Sequence, residues 1–310
     1  VKRVLPIALL LVAVAASGQQ PPHVGVQGLP APIHLTTQIA EPRVPVTKAD
    51  LYCAGFVSAK PLSREHFIGA GQETPIQTRY AAGEFVFLRG GGYTPGTRVS
   101  ILREVADFNR YSPFPAARNL LAKTGRIYRD IGYAKVAEIR GTDTAVAQAE
   151  FTCEDLMPGD LVVPFIERSP VGYRARSTMG LLPAAPARVS GRIMAARDFD
   201  SYLSSGHAIY LNVGAAQGLK AGDLLRVVRD YRPGSLDQVD AAVYLADLTD
   251  DSQQNPPKMK KNQTNQLPRR VVGEAVVLST HSGGATAMIT FSLEPVQLGD
   301  TVELEEAEAE

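Results

Sequence analysis

The sequence predicts a mainly β protein built from two small β modules in tandem, each interrupted by a long inserted loop, and three observations carry that prediction. The first is an internal duplication. Leu88 to Glu104 and Leu211 to Asp230 both read as an apolar strand, a Gly-rich turn and a second strand ending in x-I/V-x-R, as Ser100-Ile101-Leu102-Arg103 and Arg226-Val227-Val228-Arg229. The second is a matched pair of segments downstream of each copy: IGYAKVAEI and MPGDLVVP after the first, VGEAVVL and QLGDTVEL after the second. The third is alternation. Phe85 and Phe87, then Val99 and Ile101, alternate with polar or solvent-side residues, the period of half-buried strands. At 310 residues two domains are the ordinary expectation, and 45% hydrophobic content lets each bury a core.

The chain starts Val1-Lys2-Arg3, then an apolar run, Val4 to Ala16, shorter than a membrane span and ending in small residues. This predicts a secretory signal peptide over 1–18, with Val1 at an alternative start codon and cleavage near Ala15 to Gly18; a membrane anchor is the competing reading. No Cys follows the run, which argues against lipid modification. Cleavage removes two of the 32 basic residues, Lys2 and Arg3, and none of the 32 acidic ones, for a net of about −2. Such a balance provides no electrostatic footprint for nucleic acid.

Residues 19–47, rich in Pro, Gln and Gly, read as a linker. The first module covers 48–166. It is expected to begin with an extended segment, Ala49 to Ser58, followed by turns through Phe67 to Tyr80 around Gly69, Gly71 and Pro75. The connection from Glu104 to Asp130 holds a short helical candidate, Ala116 to Lys123, and three aromatics, Phe108, Tyr111 and Phe114, that suit a loop anchor or a binding face. Strands at Ile131 to Ile139 and Thr144 to Thr152 follow across the turn Arg140-Gly141-Thr142-Asp143. A Pro-bearing connector, 167–188, in which Leu181 and Leu182 are candidates to dock on a neighbour, leads to the second module, 189–304. In that module the connection Tyr231 to Leu267 has a helix signal, Ser235 to Leu248, opened by Ser235 and Gln238, and then a polar lysine-bearing stretch, Asp250 to Gln266. Beyond 304 lies an acidic tail, 305–310, with the acidic run beginning at Glu303.

Cys53 and Cys153 are the only cysteines. In an oxidising compartment a bridge would close a loop worth about 4 to 5 kcal/mol in the chain-entropy model, tying a strand at Leu51 to Val57 to one at Val146 to Thr152. Their contexts equally suit two small buried hydrophobes.

Gly159-Asp160, Gly222-Asp223 and Gly299-Asp300 each stand between a loop and a strand, and Gly96-Thr97 takes that place in the first copy. Three acids raise metal ligation or paired-carboxylate catalysis, but each is alone in its loop with no His or second acid at i+2 or i+4. The reading is structural: Gly permits positive φ, and Asp, or more weakly Thr, accepts hydrogen bonds from backbone N–H groups as the strand starts. The five histidines, at 23, 34, 66, 207 and 281, have no ligand spacing. Gly90-Gly91-Gly92 lacks the Lys-Ser/Thr of a phosphate loop. Thr280-His281-Ser282-Gly283-Gly284 is expected as a solvent-exposed hairpin tip, and Asn262-Gln263-Thr264 matches a glycosylation sequon. No catalytic, cofactor-binding or metal-ligating set is expected, and no cofactor.

The stretch Ile209-Tyr210-Leu211-Asn212-Val213-Gly214, continued by Gly218-Leu219-Lys220-Ala221-Gly222-Asp223-Leu224-Leu225-Arg226-Val227, with Val272-Gly273-Glu274-Ala275 and Leu298-Gly299-Asp300-Thr301-Val302, resembles the C-terminal β domain of the bacterial flagellar assembly protein T. The first copy, through Phe151 to Pro164, is similar to exported bacterial proteins labelled peptidoglycan-binding because some members carry a lysin motif. The resemblance implies small SH3-like barrels, a periplasmic or envelope location and a scaffold or binding role without catalysis. This chain lacks both the flagellar protein's N-terminal domains and a recognisable lysin motif. The expected function is a non-enzymatic exported binding or assembly scaffold, whose partner is an envelope protein or peptidoglycan, with no nucleic acid and no stable membrane span after cleavage. The inserted loops and exposed sheet edges would carry the affinity. The alternatives are a glycan-acting wall enzyme, needing two converging carboxylates in a cleft, and a stand-alone peptidoglycan binder.

Overall fold

The computed structural model describes residues 36–38, 43–72, 76–105, 117–172, 178–183, 186–198, 200, 202–230 and 268–305, all within one compact unit, Leu35–Glu310. The expected signal peptide, most of the 19–47 linker, the aromatics Phe108, Tyr111 and Phe114, the helix signal at Ser235 to Leu248, the lysine-bearing stretch, the sequon and the tail beyond Glu305 lie outside the described residues.

In chain order the first half contains β1 (Thr36–Gln38), α1 (Lys48–Cys53), β2 (Phe56–Ser58), β3 (Phe67–Gly71), β4 (Phe85–Arg89), β5 (Arg98–Glu104), α2 (Ala117–Thr124), β6 (Arg126–Arg140), β7 (Thr144–Thr152) and β8 (Leu161–Pro164). The second contains β9 (Thr178–Gly180), β10 (Ser190–Ala196), β11 (Tyr202–Leu203), β12 (Ala208–Leu211), β13 (Leu224–Arg229), β14 (Arg270–Thr280), β15 (Ala285–Ser292), β16 (Val296–Gln297) and β17 (Thr301–Leu304).

Two closed, six-stranded antiparallel barrels result, with the same strand order. The first runs β3-β4-β7-β6-β5-β8 and returns to β3; the second runs β10-β12-β15-β14-β13-β17 and returns to β10. Their irregularities coincide as well. The β3/β4 ladder shifts between Ile68 and Ala70, and β10/β12 between Ile193 and Ala195. The β5/β6 ladder shifts after Ile101, opposite Gly132, and β13/β14 after Val227, opposite Gly273. Bulges are positional features rather than noise, so this coincidence makes the duplication a property of the backbone. Alternate residues fill each interior: Ile68, Val86, Leu88, Ile101 and Val136 in the first, Ile193, Ile209, Leu211, Val227 and Val277 in the second. Both reserve small residues for the strand after the long hairpin, Ala145 and Ala147 on β7, Ala285 and Ala287 on β15. That suits a barrel too narrow to hold large side chains from every strand.

Several expected elements differ. Ala49 to Ser58 is extended only at its end, in β2; its first half is helical, and α1 forms because Thr47 and Asp50 make a capping box, the Asp50 N–H donating to Thr47 Oγ1 at 3.2 Å and the Thr47 N–H to the Asp50 carboxylate at 2.8 Å. Phe67 to Gly71 is a strand, its glycines letting Arg89 lie across Gly69 and Tyr80 against Gly71. The linker ends earlier than expected. Arg43 forms a bidentate pair with buried Glu274 at 2.8 and 3.0 Å, and the Val44 N–H donates to Thr290 O at 3.0 Å, so residues 43–46 are docked on the second barrel. The connector 167–188 docks at Leu181, as expected, while Leu182 is 44% exposed. Its strand β9 pairs with β1, its Met179 is buried with Val228, Val271 and Phe291, and the Leu181 carbonyl accepts from the Val271 N–H. Glu303 belongs to no solvated tail: it sits in β17 wholly buried, between Arg226 and Arg269.

The two barrels meet through α1, β2 and α2. Val57, Ile127, Leu120 and Leu121 pack on Met194, Ala195 and Tyr210 of the second barrel's outer wall. Leu51 and Ala54 pack beside them on Ala208, Val276, Leu278 and Met288. The described end of the first inserted loop, helix α2, is therefore used in joining the barrels.

Candidate functional site: turn locks and the inter-barrel joint

The four glycine turns share one geometry. Gly96, Gly159, Gly222 and Gly299 have φ of +84°, +91°, +93° and +94°, a region L-residues avoid. In each, the next residue's N–H returns to the carbonyl three positions earlier: Thr97 to Thr94, Asp160 to Met157, Asp223 to Lys220 and Asp300 to Gln297, at 3.1 to 3.2 Å. This is a type II turn with Gly at its third position. Each turn then exchanges a pair of backbone hydrogen bonds with a neighbouring strand, through Val136, Ile68, Val277 and Ile193 respectively.

The aspartates act on this backbone as expected from the sequence. Asp160 accepts from the Met157 N–H at 2.7 Å, Asp223 from Lys220 N–H at 2.8 Å and Asp300 from Gln297 N–H at 2.8 Å. Thr97 does something else: its hydroxyl donates to the Thr94 carbonyl at 2.6 Å. Two of the aspartates have a further partner that motif reasoning does not reach. Arg103 Nε and Nη2 donate to both Asp160 oxygens at 2.7 and 2.8 Å, and Arg229 does the same to Asp300 at 2.9 and 2.7 Å. The same guanidinium then donates to a loop carbonyl, Asp155 O in the first barrel and Pro295 O in the second. These arginines end the repeated x-I/V-x-R pattern, which is the signal the sequence offers for them. Each lock fastens the end of β5 or β13 to the turn that starts the closing strand.

At Arg229 burial opposes the charge, but hydrogen bonding to Asp300 wins and holds the guanidinium above its ordinary pKa; for Arg103 the Asp160 hydrogen bond is the leading cause of the same shift. Burial pushes the Asp300 carboxyl up, against the pull of Arg229.

A second constellation lies at the joint, centred on Gly55 between α1 and β2. Its φ is +70°, and a Cβ there would stand 2.5 Å from Tyr210 Oη and 2.6 Å from Tyr128 O, so only glycine fits. The Gly55 N–H donates to buried Asp130 at 2.9 Å, and its carbonyl accepts from Thr286 Oγ1 of the second barrel at 3.0 Å. Tyr210 Oη donates to Ala54 O at 2.9 Å. Arg168 Nη2 reaches both Asp130 oxygens at 3.1 and 3.0 Å while its guanidinium sits over the Phe56 ring. Phe56 meets the His281 ring at 5.1 Å between centroids. Burial pushes the Asp130 carboxyl up despite Arg168, and pushes the Tyr210 phenol up; burial first, and then Arg168, hold His281 below its ordinary value.

The expected exposed tip at Thr280 to Gly284 is thus corrected. His281 is half-buried against the first barrel and Gly284 is buried, because β2 covers the hairpin. The other described histidines stay apart: His66 Nδ1 is 3.2 Å from Tyr93 Oη, and His207 is beside Ser204 and Asp200. Gly90, Gly91 and Gly92 all have positive φ in the β4–β5 turn.

Cys53 and Cys153 are joined by a disulfide, S–S 2.04 Å. It does not tie two strands. It fastens the last residue of α1 to the residue just past β7, securing to the first barrel the helix that packs on the second.

The fold and these locks define the class: a tandem β-barrel protein welded at a buried polar joint. No protein-family model matches the chain, and no curated protein matches it.

Proposed function

We propose that this protein is a non-enzymatic, exported cell-envelope protein, a binding or assembly scaffold for an envelope protein or for peptidoglycan. One observation carries the reading most. Buried carboxylates Asp130, Asp160, Glu274, Asp300 and Glu303 are each committed to an arginine that braces a strand, a turn or the joint. Breaking such a pair where both partners are buried, as at Asp300, costs typically about 3 to 5 kcal/mol, and less where the arginine is partly exposed, so these acids serve rigidity. A rigid pair of barrels is what a scaffold presents to a partner. The disulfide favours an oxidising compartment, in keeping with the basic-then-apolar start of the chain. The resemblance of the second barrel to the C-terminal domain of flagellar assembly protein T points toward the same envelope setting.

The test is retention. The chain from Gln19 onward is incubated with purified sacculi and, separately, with an envelope lysate. Retention on sacculi that soluble glycan fragments compete away supports the wall-polymer arm; capture of a defined envelope protein, with sacculi left bare, supports the protein arm. Release of glycan fragments from the sacculi by the purified chain overturns the reading in favour of an enzyme.

A further inference from the structure

The joint between the barrels holds a titratable group that the bracing network leaves unused. His281 opens the turn between β14 and β15, and its backbone is fixed there, the N–H donating to Gly284 O and the carbonyl accepting from the Ala215 N–H, both at 2.8 Å. Its half-buried side chain meets the first barrel, the ring 5.1 Å from the Phe56 ring of β2. The rest of the turn is covered by β2 and the end of α2: Val57 Cβ and Thr124 Cγ2 lie 3.5 and 3.2 Å from where a Cβ on Gly284 would stand. Among the described residues, His281 Nε2 is buried without a hydrogen-bond partner, and Ser279 Oγ, two residues earlier, is buried and equally unbonded. A neutral imidazole sits in such a place at modest cost. An imidazolium carries N–H donors on both ring nitrogens, one of them at Nε2 with no acceptor to meet it, and a buried charge without a partner is strongly disfavoured.

The charged groups around the ring offer no compensation. Arg168, on the segment after β8, places a cation near it, and burial first, then Arg168, hold His281 below its ordinary pKa. Asp130 of β6 is committed elsewhere, both its oxygens engaged by Arg168 Nη2 at 3.1 and 3.0 Å and one also by the Gly55 N–H. From β12 comes the Tyr210 phenol, pushed up by burial; Arg197 acts on it and on Asp130, and Arg129 and Asp198 act on it with opposite signs. Phe56, Val57 and Thr124, contributed by β2 and α2, carry no charge, and Lys123 of α2 is exposed. The Phe56 ring, a surface that attracts cations, already has the Arg168 guanidinium over it at 6.0 Å.

We propose that His281 makes the joint acid-sensitive: on its protonation β2 parts from the β14–β15 turn, loosening one barrel against the other while both barrels stay closed. Each barrel closes through its own six strands, whereas the contact at His281 is made between them. A proton held more tightly in the open arrangement than in the closed one multiplies the open population by the ratio of the two ionisation constants, about tenfold for each unit between the pKa values. Acid therefore shifts the joint by a bounded factor. Asp130 works in the opposite sense, because burial raises its carboxyl and protonation there favours the closed joint; the share due to His281 is read as the difference between wild type and His281→Leu. The device is independent of whether the scaffold binds wall polymer or protein.

Three buried methionines supply the readout. Met194 and Met288 lie on the joint wall, Met194 against Val57 and Met288 against Leu51 and Ala54, whereas Met179 is buried with Val228, Val271 and Phe291, away from the joint. The full chain is treated with hydrogen peroxide at about pH 7.5 and about pH 5.5, on either side of the ordinary histidine value, and sulfoxide formation at each methionine is followed by mass spectrometry. In wild type, oxidation of Met194 and Met288 relative to Met179 is expected to quicken at least about threefold at the lower pH, and His281→Leu to remove that rise. An NMR titration of the His281 ring in the unaltered chain is expected to place its pKa below the ordinary value. Equal relative rates at the two pH values, a rise that His281→Leu leaves in place, or a rise shared by Met179 overturns the proposal. So does a ring that titrates at or above the ordinary value.

Discussion

Asp160 and Asp300 occupy the same turn of the same fold, hold an equivalent bidentate arginine and accept from the same backbone N–H position, and both are buried, yet their arginines sit differently toward water. In the second barrel both partners are sealed, the Arg229 side chain 7% exposed; in the first, Arg103 is 26% exposed. The covalent reinforcement is distributed the other way, since the disulfide fastens the joint helix α1 to the first barrel. Duplication has kept what the backbone demands and let burial diverge, and each barrel is secured by a different means.

Removing the disulfide is the largest break of that comparison. With the cysteines 100 positions apart, Cys53→Ser/Cys153→Ser is expected to lower stability by about 4 to 5 kcal/mol in the chain-entropy model. Hydrogen exchange should then rise in α1 and β2 through β8 ahead of β10 through β17. An equal rise in both barrels means they open as one cooperative unit.

Next comes Asp300→Asn, which leaves Arg229 charged and buried and is expected to cost about 3 to 5 kcal/mol. Asp160→Asn should cost about 1 to 2 kcal/mol, because water screens the less buried Arg103. Urea unfolding followed by circular dichroism measures both, and equal losses erase the asymmetry. Gly55→Ala introduces a Cβ against Tyr210 Oη and Tyr128 O at positive φ, a strain of about 1 to 3 kcal/mol. It acts on the joint, so the urea curve of this variant is expected to divide into two transitions.

The smallest effect is at His281. Its folded pKa lies below the ordinary 6.5, so the unfolded chain takes up the proton first. The neutral ring contributes stability that is fully present above about pH 6.5 and is lost as pH falls through the folded value. Protonation there places a cation beside Arg168, whose partner Asp130 is already engaged. His281→Leu is expected to flatten the stability profile below about pH 6.5; a profile identical to wild type sinks the assignment.

The barrels are legible in the sequence because their signals are local. Positive-φ glycine turns followed by alternating strands need no knowledge of a partner, and the repeated terminal Arg and the turn Asp are both visible although their pairing is not. The joint is illegible because Met194, Tyr210 and Met288 are outward residues on strands already explained by an inner face; nothing local says that a second barrel covers them. Helix α1 escapes because Leu51 and Cys53 suggest alternation, while the capping box depends on Asp50 in the place usually held by Glu or Gln. Glu303 reads as solvent-facing because an acidic run follows it, and only pairing with Arg226 and Arg269 reveals its burial.

The ion pair between Arg43 and Glu274 spans 231 positions. At ordinary elongation rates the arginine emerges on the order of 10 to 50 s before its carboxylate exists. During that interval Val44, Val46, Leu51 and Ala54 have nothing of the second barrel to cover them. The first barrel can close its own wall as soon as β8 is made, but the segment leading into it stays bare until the final hairpin arrives. Its apolar residues are thus a timed liability of biosynthesis, uncovered until the chain is complete.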